Sequence, residues 1–242
     1  MTAMARIDNS DRFIEQRGQL EAMAAERPEL AQRLRELRTW QAARLALTYQ
    51  DVRRDPQLSR AAEFFLTDLY GPQDFARRNQ ELARAWRYLK RALPEPTVRV
   101  LAQAIELETL TVELDLAMVA HLPAGTIDEA AYALAYRAVG RPDARQHQID
   151  LIIGIGEALS RIVQRPWIGI ALRAAHAPAH AAGFGVLQDF LERGFAGFHR
   201  MPDARRLLRT IRLRETQLME ALLRQRENPF DTSCLRSVNV ND

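Results

Sequence analysis

The sequence predicts an all-α protein, a compact bundle of about nine or ten helices around a long buried central helix, with no β-sheet. Proline and glycine fall between the helical patterns rather than inside alternating ones. Nowhere do four or more residues alternate apolar and polar side chains, as a half-buried strand would. The connections are short, mostly about two to six residues, so we expect sequential helices to pack as neighbours.

Proline, glycine and capping residues delimit the first four predicted helices. Pro28 suits the first turn of the second helix, and Pro56 opens the third. Gly71 followed by Pro72 ends the third helix, since proline cannot continue the hydrogen-bond ladder. Asp74 can cap the helix that follows. These four helices are predicted over residues 11–26, 28–54, 59–70 and 75–93.

The later helices have similar boundary signals. Pro94 and Pro96 separate the fourth helix from the fifth. Thr126 and Glu129 have the spacing of a capping box, in which the threonine oxygen accepts the Glu129 amide and the glutamate bonds back to the Thr126 amide. That spacing predicts a helix start at Thr126. The other helices are predicted over residues 97–122, 142–164, 167–175, 179–198 and 202–227.

Composition and chain ends predict one soluble domain. With 34 Lys+Arg against 31 Asp+Glu and 47% hydrophobic residues, the chain is compositionally globular. We expect a single domain over residues 1–227, with a weak subdivision near 121–125, and a flexible tail over 228–242. The start of the chain lacks signal-peptide features and the longest apolar segment is too short to cross a bilayer, so a cytoplasmic protein without a membrane span is predicted.

The predicted fifth helix carries the best candidates for a polar site. Its apolar residues lie on two sides at 100° per residue, so neighbouring helices should sandwich it. Of its two acidic stripes, Glu108 and Asp115 lie among more apolar residues than Glu106 and Glu113, and are expected to be the buried pair. A buried carboxylate must be paired, hydrogen-bonded or protonated. Two roles for Glu108 and Asp115 stay open. We favour ion pairs with arginines of neighbouring helices, and the alternative is acid/base catalysis.

Two glycines are candidates for the lining of a pocket. Gly156 and Gly183 fall inside apolar helical patterns, where glycine costs about 1 kcal/mol relative to alanine. Close helix packing is the simpler explanation for such positions. The alternative is a bundle thinned at these positions to admit an acyl chain or a flat cofactor.

No motif in the sequence indicates a metal or a cofactor. His176 and His180 have i, i+4 spacing, but Pro178 is expected to break the helix that would align them. Phosphate-binding loops, dinucleotide fingerprints and nucleophile elbows are absent from the sequence, and Cys234 lies in the predicted tail. We therefore predict no metal site and no cofactor.

The sequence does not predict nucleic acid as a partner. Arg205, Arg209 and Arg212 recur along one helix face and could meet phosphates. Acidic residues on the same helix dilute this positive charge, and no nucleic-acid-binding motif accompanies it. A solvated arginine face explains the spacing.

The segment EFFLTDLYGPQDF, residues 63–75, resembles the signature of a proteobacterial family of unknown function named for an FFLEE-Y motif. Similar patterns follow in residues 136–137, 148–151 and 190–198. The resemblance implies a soluble helical fold and brings no activity with it. Around the motif, four polar residues could line a notch at a helix junction, and they form a second candidate site: Asp68, Tyr70, Asp74 and Arg77.

The sequence favours a non-enzymatic module that binds a protein partner or assembles with itself through an apolar helix face. The alternative is a small-molecule site inside the bundle, catalytic or not, with a buried carboxylate in an apolar pocket. The first hypothesis requires a convex apolar patch of several hundred Å². The second requires a closed cavity of about 300 Å³ or more.

Overall fold

The computed structural model describes residues 3–64, 67, 76–199, 201 and 204–231. The protein is all-helical, with 84% helix, and the described residues form eleven helices and no strand, which confirms the predicted fold class. The helices are α1 (Ala3–Ala25), α2 (Pro28–Thr48), α3 (Gln50–Arg54), α4 (Ser59–Phe64), α5 (Ala76–Ala92), α6 (Glu95–His121), α7 (Glu129–Val139), α8 (Pro142–Ile162), α9 (Pro166–Ala181), α10 (Gly185–His199) and α11 (Ala204–Leu223).

Helix α6 is the central helix that the two-sided apolar pattern predicts. It packs against α1, α2, α5, α7 and α8. Val112 and Leu114 come from its opposite apolar sides, and both are buried. Burial on opposite sides requires neighbours on opposite sides, so the predicted sandwich is confirmed. Among the described residues, no helix is both long and apolar enough to cross a bilayer.

The core consists of two apolar clusters that α6 and α10 connect. The larger cluster contains Met118 of α6 and Phe198 of α10, together with side chains of α2, α3, α4, α7, α8 and α11. The smaller cluster surrounds the fully buried Trp86 of α5 and includes Ile105 of α6 and Leu187 of α10. The predicted single domain over residues 1–227 and the subdivision near 121–125 stay predictions.

Helix α7 begins later than the capping box predicts. Its N-cap is Asp128, whose side chain accepts a hydrogen bond from the Ala131 amide at 2.8 Å. Ile127, the residue before the cap, is buried in the same apolar cluster as Tyr132, four positions into the helix. Such a pair resembles a hydrophobic staple and sets where the helix starts. The predicted start at Thr126 is therefore wrong.

Further helix boundaries differ from the predictions, among them the start of α1, at Ala3 rather than near residue 11. The predicted helix over 28–54 is interrupted at Tyr49, which is fully buried and has non-helical backbone angles between α2 and α3. Gly183 lies in the turn between α9 and α10 with φ +78°, rather than inside a helix. The predicted tail begins at residue 228, yet Phe230 packs against the rings of Trp40 and Tyr132.

Helix α9 continues through Pro178 to Ala181, so the predicted break is wrong. Proline removes only one amide from a helix, and here it does so in the last turn. Its missing partner would be the carbonyl of Ala174, an exposed residue on which water can replace the lost hydrogen bond. His176 and His180 are consequently aligned on one helix face.

Candidate functional site

A cavity of about 90 Å³ lies in the larger core cluster, where α2, α6, α7, α8 and α11 meet. Four charged side chains line it: Arg44, Asp115, Arg145 and Glu215. Apolar walls come from Leu45, Leu114, Ile149, Ile152, Leu218, Met219 and Leu222. A water molecule needs about 10–15 Å³ of such space, so the cavity has room for several waters or a ligand of a few heavy atoms.

Asp115 is the predicted site residue that the structure places at this cavity. It is only 3% exposed. Arg38 Nε and Gln41 Nε2, both on α2, donate hydrogen bonds to its two carboxylate oxygens at 3.1 and 3.2 Å. Burial raises the pKa of Asp115 above its ordinary value, although these two donors oppose the rise. The favoured interpretation of Asp115, a tie from α6 to an arginine of a neighbouring helix, matches these contacts.

Glu215 of α11 also lines the cavity and is bonded to residues at the end of α2 and just after it. Arg44 Nη1 donates to both of its carboxylate oxygens, at 2.8 and 3.0 Å. The hydroxyl of Tyr49 donates a third hydrogen bond at 2.9 Å. Burial would lower the pKa of Arg44, but the Glu215 carboxylate raises it overall, so this guanidinium stays charged. Sequence analysis missed this pair because its members are 171 positions apart.

Arg145 of α8 lines the cavity without a hydrogen-bonded acid among the described residues. It is 6% exposed, and its guanidinium carbon stands 3.7 Å from the centre of the Tyr136 ring. Its Nε and Nη2 are buried and have no hydrogen-bond partner among the described residues. The signal that could have identified it is its register, because Arg145, Ile149 and Ile152 recur at i, i+4 and i+7. An arginine on the apolar stripe of a helix is expected to be buried.

The charges around the cavity leave one cation in excess. Glu215 neutralises Arg44, and Asp115 is hydrogen-bonded to Arg38. Arg145 is near enough to Asp115 to lower the pKa of that carboxyl, but no hydrogen bond joins them. With Arg38, which lies outside the cavity lining, three guanidinium groups are therefore close to two carboxylates. The third guanidinium can bind an anion that enters the cavity.

Glu108 lies away from this cavity, and its predicted burial is only partly right. Its side chain is 22% exposed, and its carboxylate accepts a hydrogen bond from Arg78 Nη2 at 2.9 Å. Glu106, from the stripe expected to be solvated, is instead the buried acid, and it contacts His147 Nε2 at 2.8 Å. Helix α8 covers the Glu106 stripe and brings His147 onto it. The ranking of the two stripes is right for Asp115 and wrong for Glu108.

Neither predicted glycine lines the cavity. At Gly156, a Cβ atom would stand 2.4 Å from Leu208 Cδ2 of α11, so the missing side chain permits a close helix crossing. Gly183 has open space around it and a positive φ, and its carbonyl accepts a hydrogen bond from Arg84 at 2.8 Å. Glycine at position 183 serves the turn, because a side chain would be strained at that backbone angle.

Of the predicted polar notch, only Arg77 falls within the described part of the chain. Its side chain is largely exposed and its Nε pairs with Glu81 at 3.3 Å. Asp68, Tyr70 and Asp74 lie outside the described residues. The notch as a site stays a prediction.

Residues 2–229 match the family described as Domain of unknown function (DUF8198). The match covers nearly the whole chain, and the protein belongs to this family. Comparison with curated proteins gave no match. Comparison with solved structures gave none either.

Proposed function

We propose that this member of the DUF8198 family binds a small anion in the cavity beside Arg145. The observation that supports the proposal is the buried guanidinium at the cavity wall, two of whose nitrogens have no hydrogen-bond partner among the described residues. The proposal develops the second hypothesis from the sequence, a small-molecule site in which Asp115 is the buried carboxylate.

Burying the Arg145 guanidinium has a cost in free energy. A buried charge without a hydrogen-bonded counter-ion costs several kcal/mol. Stacking of Arg145 on Tyr136 returns only about 2 kcal/mol, the usual upper range of a desolvated cation–π contact. A carboxylate can accept two parallel hydrogen bonds from one guanidinium. Such a ligand would therefore satisfy the donors that the fold leaves without partners.

Size and charge narrow the ligand class. At about 90 Å³ the cavity is smaller than the roughly 300 Å³ of ordinary ligand pockets, so an acyl chain or flat cofactor does not fit the space. Asp115 on the same wall disfavours anions with more than one charge. The apolar walls favour a ligand with a few carbon atoms. We propose a short monocarboxylate, with propionate as the probe.

Propionate is expected to raise the melting temperature of the full-length protein, while sodium chloride at equal ionic strength should not. Arg145→Met should lose this response, because methionine keeps the length of the side chain but cannot donate to a carboxylate. At a propionate concentration 100 times the Kd, the stabilisation should reach about 2.7 kcal/mol. Differential scanning fluorimetry measures the melting temperature, and isothermal titration calorimetry measures the Kd for propionate.

A matched control and a second readout separate binding from a structural role. Arg161→Met removes an exposed arginine from the same helix and should respond to propionate like the wild type. Without added anion, Arg145→Met should be more stable than the wild type by about 1 kcal/mol, because it removes a buried charge that has no hydrogen-bonded counter-ion among the described residues. An Arg145→Met protein that is less stable and still responds to propionate would exclude the proposal.

Self-association is a second candidate function, favoured by the exposed apolar face of α9. Trp167 and Ile170 project from this helix with 41% and 60% of their surfaces exposed, and α9 packs chiefly against α10. An isologous contact between two copies would bury the same residues on both. We expect Ile170→Asp to lower the average mass measured by light scattering at high protein concentration. A monomeric wild type at that concentration would exclude this function.

The finer resemblance to the proteobacterial FFLEE-Y family stays a prediction, as does a cytoplasmic location. Its motif falls largely on residues 65–66 and 68–75, which lie outside the described part of the chain.

A further inference from the structure

Helices α9 and α10 form an antiparallel hairpin that brings two histidines and two carboxylates together on its surface. His176 Nδ1 lies 2.9 Å from Glu192 Oε1, and His180 Nε2 lies 2.8 Å from Asp189 Oδ1. The two imidazole rings are 4.5 Å apart between centroids. Ligand atoms of His176, His180 and Asp189 all lie within 4.8 Å of one another.

The continuity of α9 creates this arrangement. Residues four apart on a helix lie on one face, one turn above the other. Because Pro178 does not break the helix, His176 and His180 keep that relation. The sequence-based prediction of no metal site depended on such a break, so its reason does not hold at this hairpin.

We propose that this hairpin binds a divalent transition-metal ion of the zinc type, with His176, His180 and Asp189 as ligands. Imidazole nitrogen and carboxylate oxygen are the donors that Zn²⁺ accepts besides thiolate. Glu192, hydrogen-bonded to His176, would orient that histidine. The proposal is independent of the anion cavity, which involves neither α9 nor α10.

The required geometry lies within reach of side-chain rotation. Tetrahedral zinc with bonds of about 2.0–2.1 Å places its donor atoms roughly 3.3 Å apart. The His180–Asp189 pair must therefore open by about half an ångström, and the widest pair of ligand atoms must close by about 1.5 Å. These side chains are largely exposed, with 32–51% of their surfaces accessible, so no core packing opposes the movement.

Two neighbouring residues hold the donors in place. Gln188 is buried, and its Nε2 donates to Glu192 Oε1 and to the carbonyl of Leu172, both at 2.8 Å. At Gly185, a Cβ atom would stand 2.7 Å from His180 Nδ1, so only glycine leaves the imidazole its present position. Gly185 is therefore a positioning residue whose replacement would move a ligand without removing one.

The test is a calorimetric titration of the chelator-treated full-length protein with ZnCl₂, paired with thermal melting. The wild type should bind one ion per chain with a rise in melting temperature. His176→Ala and His180→Ala should each weaken the affinity by at least about tenfold. Gly185→Ala should also weaken the zinc affinity, although all three ligand residues are still present. If the histidine–carboxylate hydrogen bonds had only a structural role, this variant would not change zinc binding.

The control is His121→Ala, which removes an exposed histidine at the end of α6 and should bind zinc like the wild type. Circular dichroism confirms that each variant is folded, as expected for exposed positions. A wild type that shows neither binding heat nor thermal stabilisation would overturn the proposal. Equal zinc affinity in the wild type and in the His176→Ala, His180→Ala double variant would overturn it as well.

Discussion

Glu215→Leu is expected to lower the free energy of unfolding by about 3–5 kcal/mol, the largest single effect predicted for this protein. The Arg44 and Glu215 side chains are 13% and 16% exposed, so water screens their contact only weakly. Leucine would leave the Arg44 guanidinium in the core without the carboxylate that accepts from its Nη1, and would remove the same acceptor from the Tyr49 hydroxyl. Urea unfolding followed by circular dichroism measures the loss.

Two further variants attribute the loss to the stranded charge. Glu220→Leu removes an exposed acid from the same helix, where it pairs with Arg224 at 3.6 Å, and should cost less than about 1 kcal/mol. Adding Arg44→Met to Glu215→Leu removes the remaining charge and should restore most of the stability. If Glu215→Leu lowered the free energy of unfolding no more than Glu220→Leu, the buried Arg44–Glu215 pair would not contribute to stability as predicted.

Architecture could be predicted from the sequence because it depends on local patterns. Helix α6 has apolar residues on two sides over its whole length, a pattern that only neighbours on both sides can bury. The same projection places Asp115 on a stripe among apolar residues and so predicts that it is buried, as it is. A sequence pattern shows which face of a helix is apolar. That information was sufficient to predict the burial of α6 on two sides and the burial of Asp115.

The identity of the neighbour on each face is a non-local property, and there the predictions failed. Glu106 is buried because α8 lies against its stripe and brings His147 onto it. Nothing in the sequence near α6 indicates which helix covers which stripe. The pairing of Arg44 with Glu215 has the same origin, because it joins the second helix to the last.

Position within an element explains the histidine pair that the sequence analysis rejected. The rule that proline breaks a helix applies to helix interiors, where the lost hydrogen bond cannot be replaced. Pro178 lies in the last turn of an exposed helix, so the same residue type has a smaller cost there. Arg145 was missed as well, although it shares the register of Ile149 and Ile152 on an apolar stripe and is buried.

Gly156→Val is expected to lower the free energy of unfolding by about 2–3 kcal/mol, at the upper end of ordinary overpacking costs. Even a Cβ atom would stand 2.4 Å from Leu208 Cδ2, and Leu208 is buried in the larger core cluster. Its side chain cannot rotate away without displacing other core residues. Valine has a higher helix propensity than glycine, so the loss must come from packing between α8 and α11.

Gly154, two residues earlier in α8, offers a matched control because a Cβ there would meet only Gln103 Nε2, at an ordinary 3.7 Å. Gly154→Val should change stability by no more than about 0.5 kcal/mol. Leu208→Ala should recover part of the Gly156→Val loss, with a coupling of about 1 kcal/mol or more in a double-mutant cycle. Equal losses at the two glycines would contradict the close crossing and would restore the hypothesis that Gly156 borders space for a ligand.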